Sequence, residues 1–327
     1  MKHFSKLSEE EMMKAFDDQV WSYIVQEQLG QTLESHLFAR DEAFTPACCY
    51  KIGLQLLEQI KLIHDTGYTF NDIKLDNILV GYPSQLSDYK DFLHKIKIID
   101  FGLAIKYVNE DGSHIQATKE RFFQGNLIFA SRHCFNLVTH SRRDDLISLS
   151  YLLLYLIDGD LAFLTKEGSS QNENMDEKQF NKAEFQRIKQ LKNQMTPQML
   201  CESPEAMTLL PFLEEVFSYE FEQAPDYGKL SQMLLACLKK EGKKVDKIYD
   251  WNEEYEILKQ QERQQVLINM NKIQDPDMDI DFKESPSNAI EKMQNYQFYV
   301  NANHAVLKKE DSVLAGKDDV LMDSQQI

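Results

Sequence analysis

Residues 145–157 read DLISLSYLLLYLI, an apolar stretch broken only by Ser148 and Ser150. A helix that is apolar on every side must be enclosed by other elements. The stretch therefore predicts a central core helix with smaller amphipathic helices packed around it. Its longest unbroken apolar run, 151–157, falls far short of the roughly 20 residues that span a bilayer. At 327 residues the chain is long enough to bury a sizeable core around such a helix, and its 43% hydrophobic content is ordinary for a globular protein.

The flanking sequence supplies the partners. Thr45-Pro46 is a helix start, with Thr as N-cap and Pro at the first helical position. Ile52, Leu56, Ile60 and Ile63 then form one apolar stripe, ending near Gly67. Further helices are expected at 183–195, 205–220 and 227–240. Short β-rich runs appear at 21–26 (WSYIVQ), closed by the breaker Gly30, at 78–80 (ILV) and at 96–99 (IKII). The last two flank a loop and predict a small hairpin-like ribbon on a helical body, an α+β architecture. Residues 165–182 read as a polar insertion. Ser8 and Glu11 have capping-box spacing in the charged stretch 1–20. A helix is predicted over 253–270, but from about 252 onward periodic apolar residues thin out, and 271–327 is expected to be largely disordered.

The formal net charge of −17 argues against nucleic acid or an anionic membrane as partner, because phosphate contacts need clustered Lys and Arg. The five cysteines lack metal-ligand spacing and are expected to be core thiols. MKHFSKLSEEE has no apolar stretch of signal-peptide length, which predicts cytosol or nucleus. A monomer is expected.

The chemistry is concentrated in TFNDIKLDN (69–77), a loop between a helical pattern and a strand. It carries Asp72, Lys74 and Asn77, and Asp100 follows at the end of the next strand, before Phe101-Gly102. Phosphoryl transfer from a nucleotide needs such a set. One carboxylate orients the hydroxyl and accepts its proton, a carboxylate and an amide oxygen hold magnesium, and a lysine offsets phosphate charge. Any one of these residues is an ordinary turn former. The whole set, in this order and strand context, is a strong signal.

YTFNDIKLDNILVG, IKIIDFGLAIKY, GNLIFAS and SRRDDLISLSYLLLY resemble the catalytic loop, magnesium loop, activation-segment exit and central helix of the casein kinase I family of eukaryotic serine/threonine protein kinases. PDYGKL and YDWN are similar to the end of that family's kinase domain. The resemblance covers about residues 20–252. It implies a protein kinase-like fold, mainly the α-helical C-lobe with a small β ribbon and a hinge strand, between a short N-terminal remnant (1–20) and an acidic tail (253–327). Residue by residue, it implies Asp72 as catalytic base, Lys74 on the γ-phosphate, and Asn77 and Asp100 as magnesium ligands. Asp145 would anchor the catalytic-loop backbone. Glu27 to Leu29 would form the adenine hinge, with Leu79 and Ile99 as the pocket floor. ATP and magnesium would be the cofactors and protein Ser/Thr the substrate.

The chain departs from the family pattern at several points. Phe70-Asn71 replaces His-Arg before the catalytic aspartate, with Phe70 expected to pack under the Phe of DFG. Asn126 replaces a threonine, and its amide is expected to hydrogen-bond near Asp72. Ile128 replaces an arginine that reads phosphate already present on the substrate, which removes the basis for a primed-substrate preference. Ser131-Arg132-His133 stands where the family has Ser-Ile-Asn. Only 29 residues precede Gly30, and they contain neither a G-x-G-x-x-G loop nor a V-A-I-K strand. The N-lobe is thus expected to be truncated, transfer to be impaired, and Ile24, Val25, Leu79 and Ile99 to be partly uncovered. The alternative is an inactive pseudokinase that acts as a scaffold for protein partners, and the tail is either a regulatory segment, with Ser285-Pro286 as a modification site, or a solvated extension.

Overall fold

The computed structural model describes residues 24–40, 43–81, 95–164 and 177–252. The expectations for 1–20, for most of the polar insertion and for the tail, Ser285 included, lie outside the described residues.

The predicted core helix is α4 (Arg142–Asp158), in which every side chain from Arg143 to Ile157 is buried. Its start is fixed by Asp144, whose carboxylate accepts the Ser141 backbone N–H at 2.9 Å. Its end is fixed by Gly159, which adopts φ 71° and returns its N–H to the Tyr155 carbonyl. Around it, in chain order, run β1 (Leu29–Thr32), α1 (Leu33–Phe38), α2 (Pro46–Asp65), β2 (Tyr68–Thr69), β3 (Ile78–Gly81), β4 (Ile96–Ile98) and β5 (Ile105–Lys106). These precede α3 (Arg132–Phe135) and α4, and α5 (Glu177–Gln194), α6 (Pro197–Leu200), α7 (Leu210–Ser218) and α8 (Tyr227–Lys240) follow. The result is α+β, as expected.

Helix α2 starts where Thr45-Pro46 predicts, with the Thr45 hydroxyl accepting from Cys48 N. It lies between α4 and α8, and the approach is close because residue 53 is glycine. A Cβ there would stand 3.1 Å from both Leu153 methyls and 3.2 Å from Leu234. All five cysteines are buried free thiols. The last described stretch returns to the start of α2. Asp250 accepts from the Thr45 backbone N–H at 2.5 Å and from its hydroxyl at 2.9 Å, while the Arg40 guanidinium bonds the Asp250 carbonyl. Lys51 reaches Asp246 at 2.9 Å and also the Ile248 carbonyl.

The predicted ribbon forms from β3 and β4, antiparallel in the register Ile78↔Ile98, Leu79↔Lys97, Val80↔Ile96. It is joined on its other edge by β1, giving the order β1-β3-β4. β2 and β5 make a second small antiparallel pair.

Two expectations about elements need correction. Of the strand expected at 21–26, residues 24–26 form no regular structure and 21–23 lie outside the described residues, while β1 runs from Leu29 through Gly30 to Thr32. Gly30 is not a breaker but a point of close backbone approach. A Cβ there would meet the Val80 carbonyl oxygen at 3.0 Å and that of Gly81 at 3.1 Å, so only glycine lets β1 lie against β3 here. The insertion predicted to reach 182 also ends sooner, since α5 is already helical from Glu177. Its polar start, EKQFNK, contains no helix breaker. The 205–220 region resolves into a 3₁₀ turn (Ala206–Leu209) followed by α7. No described helix is long and apolar enough to cross a membrane.

Candidate active site

The core helix builds the site from beneath. Asp145, 1% exposed, accepts the backbone N–H of Phe70 at 2.7 Å and of Asn71 at 2.8 Å, and its Oδ2 also pairs with His64 Nε2 at 2.8 Å. His64 Nδ1 is in turn 2.6 Å from the Tyr227 hydroxyl. One buried carboxylate thus fixes the loop that carries Asp72, the anchoring role expected of it. A carboxylate so deep in the core needs this many donors to offset its lost hydration.

Asn71 is held with φ 69°, in the left-handed region where Asn is among the few tolerated side chains. Its Nδ2 donates to the Leu103 carbonyl at 2.8 Å, tying the loop to the segment after Asp100. Its Oδ1 is buried with no hydrogen-bond partner among the described residues. Phe70 is 1% exposed and meets the Phe101 ring edge-on at 5.4 Å, the packing expected of it in place of histidine.

Of the three candidate residues for phosphoryl transfer other than Asp72, two bond it directly. Asp72 Oδ2 accepts from Asn77 Nδ2 at 2.8 Å and pairs with Lys74 Nζ at 2.9 Å. Asp72 Oδ1 accepts from Asn126 Nδ2 at 3.2 Å, and the same amide holds the Ile73 carbonyl at 3.0 Å. Asn126 thus occupies the position expected from the sequence. The nitrogen of Asn77 is spent on Asp72, so that side chain has only its oxygen to offer a cation.

Asp100 follows two residues after the end of β4. Ile99 N donates to Asn77 O at 2.9 Å, which extends the ladder to the residue before Asp100. Asp100 takes φ 65°, is exposed, and its Oδ1 accepts Gly102 N at 3.1 Å. By type, Asn77 carries an amide oxygen and Asp100 a carboxylate. This hard oxygen donor set suits magnesium, which is commonly held by one or two protein oxygens plus substrate phosphates. Among the described residues no group of three or more His, Cys, Asp or Glu could hold a metal alone.

The residues assigned to adenine are less enclosed. Glu27 is exposed on the irregular segment, and Ile24 and Val25 are 89% and 88% exposed. Leu29 opens β1 opposite Gly81, while Leu79 and Ile99 are half-buried on the ribbon. A cavity of about 350 Å³ opens elsewhere, lined by Arg132, Met195, Glu214 and Phe217 among others. Ile128, in the position expected to have lost a phosphate-binding arginine, is 2% exposed and belongs to the core.

Sequence reasoning missed His64, which nothing in its neighbourhood marks, the role of Tyr227 within PDYGKL, and Lys192, which sits among polar residues at the end of α5 yet is fully buried. Burial also draws the His133 imidazole down to about 4, partly opposed by Asp144.

A family model described as protein kinase domain matches residues 10–244. A probable casein kinase I homolog of Encephalitozoon cuniculi (strain GB-M1) is 28% identical over 234 residues, which cover 71% of this chain and 64% of the relative. The chain therefore spans somewhat under two thirds of the length of that curated relative.

Proposed function

The chain belongs to the protein kinase family, and from that premise we propose that it is a serine/threonine kinase of casein kinase I type, transferring the γ-phosphoryl group of ATP to protein hydroxyls. The domain that does this is taken as 21–252. Asp72 is the base: its carboxylate, held by Asn77, Lys74 and Asn126, receives the proton of the attacking hydroxyl. Lys74 offsets charge on the transferring group. Asn77 and Asp100 would hold magnesium, which when bound supplies electrostatic stabilisation of the phosphate oxygens. Leu79 and Ile99 form the apolar floor under adenine, and Glu27 to Leu29 the hinge beside it. Protein substrates are the partners and the cytosol or nucleus the place of action. With Ile128 buried and unable to bind phosphate, no preference for primed substrates is expected.

The observation that carries this reading is the direct bonding of Asp72, Lys74, Asn77 and Asn126 over a loop anchored by Asp145. A segment with no chemical duty has little need to hold one carboxylate with three separate side-chain donors. The deciding experiment measures phosphate transfer from ATP and magnesium to casein by the chain and by Asp72→Asn. Impaired but measurable transfer is expected in the first, because no G-x-G-x-x-G loop or V-A-I-K strand precedes Gly30, and its loss in Asp72→Asn, with unchanged melting temperature.

One observation favours the second reading, a scaffold that binds partners without turnover: the exposed apolar pair Ile24 and Val25 beside the hinge. On that reading transfer is weak or absent, and Asp72→Asn leaves partner binding unaltered. A thermal shift with ATP and magnesium separates nucleotide binding from turnover.

A further inference from the structure

Lys192, near the end of α5, is completely enclosed. An amine in that position gives up its hydration, and burial draws its pKa well below that of an ordinary lysine. Its Nζ donates to the Ile128 carbonyl at 2.7 Å and to the Ala130 carbonyl at 2.6 Å. It also lies 4.8, 4.6 and 4.5 Å from the ring centroids of Phe135, Tyr151 and Phe163. No carboxylate pairs with it among the described residues.

A leucine or methionine would fill the same aromatic box with no hydration to lose. What an apolar chain cannot do is bond two carbonyls of one strand of backbone. Both protonation states of the amine keep at least two N–H donors, so the two bonds survive either way.

The two carbonyls flank Phe129, whose N–H donates to Asn126 Oδ1 at 2.7 Å, while Ala130 N donates to the Asn126 carbonyl at 3.1 Å. Asn126 then donates to Asp72 Oδ1. At the far end of this short segment, Ser131 Oγ is fixed on Asp144 Oδ1 at 2.5 Å. Lys192 therefore stands three hydrogen bonds from the carboxylate assigned as base, by way of Ala130 and Asn126.

We propose that Lys192 is a positioning residue for the segment 126–131: its two N–H bonds set the path of that backbone so that the Asn126 amide stays on Asp72. The effect on transfer rests on the kinase reading above; the effect on the segment does not.

The test compares the full chain with Lys192→Met, of similar length and no donor, by hydrogen exchange of the Phe129 and Ala130 amides, with α2 and α8 amides as internal reference. Exchange at Phe129 and Ala130 is expected to accelerate about tenfold or more while α2 and α8 hold. On casein, kcat should fall by about tenfold with KM for ATP unchanged. Lys192→Arg, which retains donors, should recover part of both. Unaltered exchange at 126–131, or equal acceleration in α2 and α8, overturns the proposal, the latter by showing that Lys192 only supports the core. If Lys192→Met does not fold, Lys192→Gln is read at the same amides with the same two outcomes. A chain with no transfer before or after substitution defeats the kinase reading, and the exchange result still decides the positioning claim.

Discussion

The two sides of the ribbon are built to different standards. On the side of the 69–77 loop, the groups are held by several side chains and backbone groups: Asp72 by two buried amides and half-buried Lys74, the loop backbone by buried Asp145, and Asn71 by the Leu103 carbonyl. On the hinge side, Glu27 is exposed on irregular backbone, and β1 meets β3 at only two registered pairs with an irregularity between them. The contrast shows where preorganisation resides. The Asp72 carboxylate is held by protein side chains alone, whereas Leu79 and Ile99, proposed to lie under adenine, are only half-buried. Positioning supplies nearly all of a kinase's rate, so the gripped side is where substitutions should cost most.

Asp145→Ala should break the contrast outright. It strands two backbone N–H groups and His64 Nε2 in the core. A loss of about 3–5 kcal/mol in urea unfolding is expected, with transfer abolished. A cost under about 1 kcal/mol would mean that water takes over the carboxylate's role, and that the loop is less fixed than its geometry.

A smaller effect comes from acid. The His133 imidazole, at the start of α3, is drawn down to about 4 by burial, below its ordinary 6.5. A base whose folded pKa is depressed binds its proton more readily when unfolded. Stability is therefore full above pH 6.5 and lost as pH falls from 6.5 toward 4. His133→Gln should remove about 1–2 kcal/mol of that acid-side loss, measured as urea midpoints across the window. Parallel midpoint curves for the two proteins would show that the loss comes from other groups.

The smallest effect sharpens the comparison within the site. Phe101 is 55% exposed although its ring touches buried Phe70. Phe101→Ala should cost under about 1 kcal/mol in stability. A larger loss would place Phe101 with the gripped side rather than the open one.

The parts legible from sequence are those whose signal is local. The apolar run 145–157 reads as a buried helix and Thr45-Pro46 as a helix start, and both form, while Lys74 and Asn77, read as partners of Asp72, bond it directly. Phe70 and Asn126, read as substitutes for other residues, pack and bond as their chemistry allows. What was not legible depends on contacts distant in sequence. Gly30 reads locally as a breaker, and only the carbonyls of Val80 and Gly81 show it to be a point of close approach. Lys192 reads as one more surface lysine on an amphipathic helix until Phe135, Tyr151 and Phe163 close around it. The His64–Asp145 pair spans 81 positions, and no spacing rule reaches that far.

The grip of Asp250 and Lys51 has a consequence for the order of assembly. The N-cap of the first long helix is completed by a carboxylate 205 positions downstream. During synthesis that helix must wait, its opening turn only partly secured, until nearly the whole domain has left the ribosome. Closing so distant a contact is slow, and a nascent chain paused before residue 246 would present α2 without its latch, the stage at which a chaperone would find most to hold.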